Sequence, residues 1–267
     1  MAGLLRVIID GPRDPRVNMA IDEAILRLRS RVGYDTLRLY TWRPTGVSLG
    51  RRQNAEAAIR LEEASKMGFV VVRRPTGGGA LLHVEGGEVT YSLVLSSEHP
   101  VYSASIDESA AMIAEGVAEA LRMLGLSAEV GGYKGVGEAS LCYLRAGSSD
   151  VTVDGMKVSG SAQFRGYGGL LQHGTLLLDF DPATWLRVMR VEGEEGLKSI
   201  TSLAMKGLRA PLSRVMRALV DGFSRVLGAD VTYSSLSPEE VEEALILYEL
   251  KYSRDEWNLR GSARERS

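Results

Sequence analysis

Phe69-Val70-Val71-Val72-Arg73-Arg74-Pro75-Thr76-Gly77-Gly78-Gly79-Ala80-Leu81-Leu82-His83 places a β-branched run, a proline turn and three consecutive glycines directly before a second apolar run. Three glycines in a row remove every β-carbon from the loop, so backbone N–H groups can close on a ligand as an anion-binding nest. Two adjacent arginines add fixed positive charge suited to phosphate or carboxylate. No Lys-Ser/Thr pair follows the glycines, which excludes a P-loop. A strand rather than a helix follows them, which excludes a dinucleotide fingerprint. The same residues also read as a plain hairpin loop with solvated arginines, and the pattern alone leaves both readings open.

The flanking segments follow from periodicity and punctuation. Asn18 reads as the cap of a helix running to about residue 29, with Ile21, Ile25 and Leu28 on one face. Residues 37–40 and 47–49 read as short strands around Arg43-Pro44-Thr45-Gly46, and residues 55–67 as a modest helix ended by Gly68. Val89, Tyr91, Leu93 and Leu95 alternate with Thr90 and Ser92, the pattern of a half-buried strand. Ser105 and Glu108 form a capping box for a helix closed by Gly125. Asp154-Gly155 predicts a primed turn joining strands at 150–153 and 156–159, and 170–179 is a long apolar strand. Helices follow at about 182–190, 211–227 and 238–250, the last with Ser237 as cap, Pro238 at the first helical position and Glu240 completing the box. Hairpins outnumber βαβ units. The fold class is therefore α+β: a mixed, largely antiparallel sheet flanked by helices. Beyond Pro211 the pattern is helical throughout, either a small appended subdomain or the last layer of one domain.

The chain has 267 residues, 32 basic and 34 acidic, for a net charge of −2, and 45% of it is hydrophobic. That suits one large domain or two unequal ones and excludes intrinsic disorder. Near-neutral charge argues against a dedicated nucleic-acid binder. One cysteine excludes a disulfide framework and a Cys-cluster zinc site, and three histidines make a His-rich metal site a poor fit, so no metal is expected. The apolar run at residues 4–9 is too short for a signal peptide or a membrane span. A cytoplasmic, membrane-free monomer is the expectation. The basic residues comprise 26 Arg and 6 Lys, and Asn and Gln number three each. This bias is read as the mark of a thermophilic source, although a skewed genomic base composition would produce it too.

Among so few lysines, Lys157 stands out, because it leaves a tight turn beside the small residues Ser159, Gly160, Ser161 and Ala162. Small neighbours leave room for a ligand, and a partly buried ammonium can act on a carbonyl or phosphate. An exposed lysine after a hairpin turn is the bland alternative. Cys142 lies between the glycine-rich stretches 131–137 and 147–149, 15 residues before Lys157. A nearby cation would favour its thiolate, but a lone cysteine is more often an inert small hydrophobe. His83 and His173 read as core histidines or as polar lining of a pocket.

Several segments, taken together, resemble the lipoate–protein ligase and octanoyltransferase superfamily. They are Asn18-Met19-Ala20-Ile21-Asp22-Glu23-Ala24, the 73–83 loop, Glu88-Val89-Thr90-Tyr91-Ser92, Lys157-Val158-Ser159-Gly160-Ser161-Ala162-Gln163, Leu171-Gln172-His173-Gly174-Thr175 and Lys251-Tyr252-Ser253-Arg254-Asp255-Glu256-Trp257-Asn258. The resemblance implies the biotin/lipoyl ligase catalytic fold, with residues 1–210 as an acyl-binding catalytic domain and a helical segment, 211–267, packed on it. An acyl chain would lie in a groove lined by Arg73, Thr76, Gly77, Gly78, Gly79, His83, Ser159, Gly160, Ser161, Ala162, His173 and Gly174. Lys157 would contact the acyl carbonyl. The product would be an octanoyl or lipoyl amide on a specific lysine of a lipoyl domain or of the glycine-cleavage H protein.

Two chemistries within that superfamily fit. One is transfer of octanoate from acyl carrier protein through a Cys142 thioester, which needs no cofactor. The other is ATP- and Mg²⁺-dependent ligation through lipoyl-adenylate, which would call for a separate accessory chain. The spacing of Cys142 from Lys157 resembles the cysteine-dependent enzymes, as does Ser92-Leu93-Val94-Leu95-Ser96-Ser97-Glu98-His99-Pro100. The triple glycine resembles the ligases more. Tyr143 stands where the cysteine enzymes usually carry Phe, and Val84 where Asp usually follows the loop histidine. The expected activity is thioester transfer, with the ligase route as the alternative.

Overall fold

The computed structural model describes residues 3–132, 147, 149–191 and 194–261. Its first strand, β1 (Gly3–Arg13), runs into α1 (Pro15–Val32), where the Asp14 carboxylate accepts from the Arg16 amide and Pro15 takes the first helical position. The helix thus begins before Asn18. That residue is fully buried inside α1, and its side chain donates to the Thr41 carbonyl at 3.2 Å. Then come β2 (Asp35–Trp42) and β3 (Gly46–Leu49), followed by α2 (Ala55–Ala58) and α3 (Leu61–Lys66), two short helices in place of the single one expected. β4 (Val70–Arg73), β5 (Leu81–His83) and β6 (Glu88–Ser96) follow. Next are α4 (Pro100–Ser103), α5 (Ile106–Met123), β7 (Ala128–Val130), β8 (Val151–Val153), β9 (Met156–Gly166) and β10 (Gly169–Leu177). The remainder is α6 (Pro182–Val188), α7 (Leu212–Leu227), β11 (Ala229–Tyr233), α8 (Pro238–Leu247) and α9 (Asp255–Asn258).

The strands form an eight-stranded sheet of order β11-β1-β2-β6-β10-β9-β8-β7 and a three-stranded sheet of order β4-β3-β5. Pairing is antiparallel in the large sheet except at β11–β1 and β1–β2. The mixed, largely antiparallel α+β architecture is therefore as expected. Segment 211–261 is not helical throughout. β11 closes the edge of the large sheet on β1, in register from Gly3 opposite Ala229 to Val7 opposite Tyr233. Five residues of ordinary strand length carried no distinctive turn signal, which is why the pattern missed them.

One face of the large sheet carries α5 and α7. Val89, Tyr91, Leu93 and Leu95 of β6 point there, and Phe223 of α7 lies 5.1 Å from the Tyr91 ring. Burying a ring of that size stabilises the fold by roughly 2–3 kcal/mol. Gly116 of α5 makes room for it, since a β-carbon there would stand 2.6 Å from the Phe223 ring. The alternate residues of β6, Glu88, Thr90 and Ser92, face the other way, yet they too are buried. β6 is not half-solvated: α1 and the small sheet cover its polar face. A buried row of polar side chains between two sheets is costly unless each finds partners, and it marks where the site lies. Among the described residues no helix is long and apolar enough to cross a membrane.

Candidate active site

A cavity of about 260 Å³ opens between the two sheets. Its inner wall rests on two buried imidazoles placed by strand alternation. His173 of β10 stands in register with Ser92 of β6, and its Nδ1 is 3.1 Å from the Asp22 carboxylate of α1. Its Nε2 is 2.7 Å from the Thr76 hydroxyl. His83 of β5 repeats the arrangement, with Nδ1 3.1 Å from Glu88 and Nε2 2.8 Å from the Ser48 hydroxyl. A carboxylate can only accept, so each Nδ1 carries the proton, and each Nε2 accepts from its hydroxyl. The Trp42 ring stacks on His83 with centroids 3.8 Å apart and donates through Nε1 to Thr90 at 2.8 Å.

Burial holds both imidazoles below the ordinary histidine pKa, against the opposing pull of Glu88 on His83 and of Asp22 on His173. The folded chain therefore takes up these protons at lower pH than the unfolded chain, whose histidines titrate near ~6.5. Stability is fully present above about pH 7 and is lost as the pH falls below ~6.5, with a slope of at most about 1.4 kcal/mol per pH unit for each histidine. Thermal midpoints recorded from pH 8 to pH 5 should be level at first and then fall. The fall should be shallower in His173→Gln, and an unaltered slope in that variant would show that the imidazole takes up its proton as readily in the fold as in the unfolded chain.

The glycine loop forms another wall. Arg74 donates from Nη2 to the carbonyls of Gly77 and Gly79, both at 2.9 Å, and from Nη1 to the Ser48 hydroxyl at 2.7 Å. Gly78 lines the cavity with φ of 83° and carries its carbonyl against Gly50, where a β-carbon would stand 1.8 Å from that oxygen. Both positions require glycine.

At the far side Lys157 of β9 lies 3% exposed, its Nζ 2.7 Å from the Asp150 carboxylate. Asp150 is oriented by the Gly147 amide at 2.9 Å, and the preceding Ser149 accepts at 3.0 Å from Ser161 of β9. Burial raises the Asp150 carboxyl pKa, and the Lys157 ammonium pulls it back only in part. The cavity thus ends at an ammonium paired with the Asp150 carboxylate, an arrangement that can receive a developing negative charge on oxygen.

The family model of the lipoyl protein ligase A/B catalytic domain matches residues 14–224. The chain belongs to that family. An octanoyltransferase LipM of Kyrpidia tusciae is 38% identical over 274 residues, covering 96% of this chain and 98% of its own. A lipoate-protein ligase A bound with ATP superposes with a TM-score of 0.83 at 28% identity, over 97% of this chain and 99% of that one. The bi-partite lipoate protein ligase of Thermoplasma acidophilum, from a structural study that includes its E2 lipoyl domain, gives 0.80 at 27% identity, over the full length of both chains.

Measured against this cavity, the sequence-predicted residues divide. Lys157, Gly160, Ser161 and Ala162 of β9 line the cavity, as do His173 and Gly174 of β10. His83, Gly78 and Gly79 complete that set. Arg73 does not line it. Adjacent side chains on a strand point to opposite sides, so Arg74 takes the cavity side. The Arg73 guanidinium turns away, donating to the carbonyls of Gly50 at 2.8 Å, Gln53 at 2.7 Å and Trp257 at 2.8 Å. Thr76, Gly77 and Ser159 are also absent from the lining: Thr76 sits behind the loop on His173, and Ser159 is buried between β8 and β10. Cys142 lies outside the described residues.

Asp150, Ser48 and Trp42 belong to the site and were not singled out. Asp150 had a signal, since it directly precedes β8, whose Thr152 pairs with Lys157 across the hairpin. Trp42 and Ser48 had none.

Proposed function

We propose that this chain is an octanoyltransferase that moves an octanoyl group from acyl carrier protein to the specific lysine of a lipoyl domain or glycine-cleavage H protein, acting as a monomer. The observation that carries the reading is the cavity between the two sheets that ends at the buried Lys157–Asp150 pair, in a chain similar over 96% of its length to an octanoyltransferase. The apolar side chains of Met19, Leu81 and Trp42, with the small residues Gly160 and Ala162, suit an alkyl chain. Lys157 would hydrogen-bond the acyl carbonyl oxygen and stabilise the oxyanion formed from it.

In this reading Cys142 is the nucleophile. Its thiolate attacks the thioester carbonyl of the octanoyl donor, and the carrier's thiol leaves with a proton, giving an octanoyl–enzyme thioester. The acceptor's lysine amine then attacks that carbonyl, the amide forms, and the Cys142 thiol is regenerated. One difficult transfer becomes two easier ones. No metal or nucleotide takes part. The ATP-bound neighbour keeps a second reading in view, lipoyl-adenylate formation with ATP and Mg²⁺ as co-substrates.

Intact-mass spectrometry after mixing with octanoyl-acyl carrier protein, without ATP, distinguishes them. The expected result is a hydroxylamine-labile octanoyl adduct that is absent in Cys142→Ala. No adduct, with lipoyl-domain modification only when lipoate and ATP are supplied, would replace transfer by ligation.

A further inference from the structure

Arg74 has five N–H donors, and the protein takes all of them. Nε reaches the Thr76 hydroxyl at 3.4 Å. Nη1 reaches the Ser48 carbonyl at 2.9 Å and the Ser48 hydroxyl at 2.7 Å. Nη2 reaches the Gly77 and Gly79 carbonyls, both at 2.9 Å. A guanidinium has no sixth donor, so Arg74 is built in as a brace for the loop rather than as a clamp for a bound anion.

Behind it stand the two parallel chains, Asp22–His173–Thr76 and Glu88–His83–Ser48. Each hydroxyl hydrogen is committed to a neutral Nε2. The oxygen lone pairs that remain can therefore only accept, and both hydroxyls present them to the same guanidinium. The two carboxylates anchor the imidazoles from behind, and Asp22 is itself paired with Arg38 at 2.8 Å. All seven groups are at most 7% exposed, so water does not compete for these bonds and their directions are fixed.

We propose that Thr76 and Ser48, each oriented by its imidazole and carboxylate, are positioning residues that fix Arg74 and, through it, the glycine loop against the acyl group. The proposal rests on the octanoyl-transfer reading of the site. It explains why Thr76, which does not line the cavity, stands between the loop and His173, and why two polar chains are buried beside a groove suited to an alkyl chain.

The test compares Thr76→Val, which keeps shape and loses the hydroxyl, with Thr76→Ser, which keeps the hydroxyl and loses a methyl. Steady-state transfer is measured with octanoyl-acyl carrier protein and lipoyl domain varied in turn. Thr76→Val is expected to raise KM for the octanoyl donor about tenfold or more, the scale of a misplaced binding element, with KM for the acceptor unchanged. Thr76→Ser should stay within about threefold of the parent. Equal impairment of both variants would assign Thr76 to packing, and an unaltered Thr76→Val would remove the chain from the site; either overturns the proposal.

A second measurement stands apart from activity. In amide NMR spectra of the full chain, Thr76→Val and Ser48→Ala should each shift the Gly77–Gly79 resonances, and silence there would overturn the proposal even in an active enzyme. A parent chain that transfers no octanoyl group, but whose Gly77–Gly79 resonances respond, would instead sink the functional reading and leave the brace standing.

Discussion

Lys157→Met is expected to lower the rate of octanoyl transfer by about 10²–10³-fold, the usual cost of removing one preorganised donor to an oxyanion. The variant should still fold. The pKa of Asp150 is already raised by burial, so once its 2.7 Å partner is gone it can take up a proton instead of remaining a bare anion. Lys157→Arg should not restore the rate, since a planar fork does not reproduce a point charge in a space walled by Gly160 and Ala162. Single-turnover transfer and circular dichroism separate the two effects. A Lys157→Met enzyme that keeps more than about a tenth of the parent rate would take the ammonium out of the chemistry.

The largest loss of stability is expected on the opposite side of the cavity, from Arg38→Met. Arg38 is fully buried and bonds Asp22 at 2.8 Å, Asp10 at 2.9 Å and the Asn18 side chain at 2.8 Å. Burial works against the Asp22 carboxylate, but the hydrogen bond from His173 and the charge of Arg38 outweigh it and hold its pKa below the usual carboxylate value. Removing the guanidinium leaves that buried charge without its main counter-ion, at a cost of about 3–5 kcal/mol. Urea unfolding would read this as a lower midpoint. The double variant Arg38→Met/Asp22→Asn should recover part of the loss, because removing both charges of a buried pair costs less than removing one. Strict additivity of the two single variants would show that they do not interact in the fold.

Strand and cap chemistry made most of the architecture legible. The Ser105 and Ser237 capping boxes, the Asp154-Gly155 turn and the apolar run of β10 all lie where their local patterns place them. These features are set by residues a few positions apart. What stayed hidden depends on distant partners: β11 is a strand because β1 offers it an edge, and Asn18 is a buried core residue because Arg38 and Thr41 receive its side chain. The site divides the same way. Lys157 and the glycines announce themselves by composition. The exchange of Arg73 for Arg74 as the inward-facing arginine turns on a single position of strand phase, which two identical neighbours cannot reveal. The stacking of Trp42 on His83 joins residues 41 positions apart and left no local trace.

The pairing of β1 with β11 has a consequence for how the protein is made. A nascent chain emerges from its N-terminal end, so β1 can meet β2 early, but its other edge waits for a strand more than two hundred residues later. Until then a row of unpaired backbone donors and acceptors is open to any passing strand. The Arg6 guanidinium, which in the finished fold grips Glu240 with two hydrogen bonds, has no counter-charge to enter the core with. Contacts this far apart slow the closing step, so this edge of the sheet stays open to mispairing until β11 has been made.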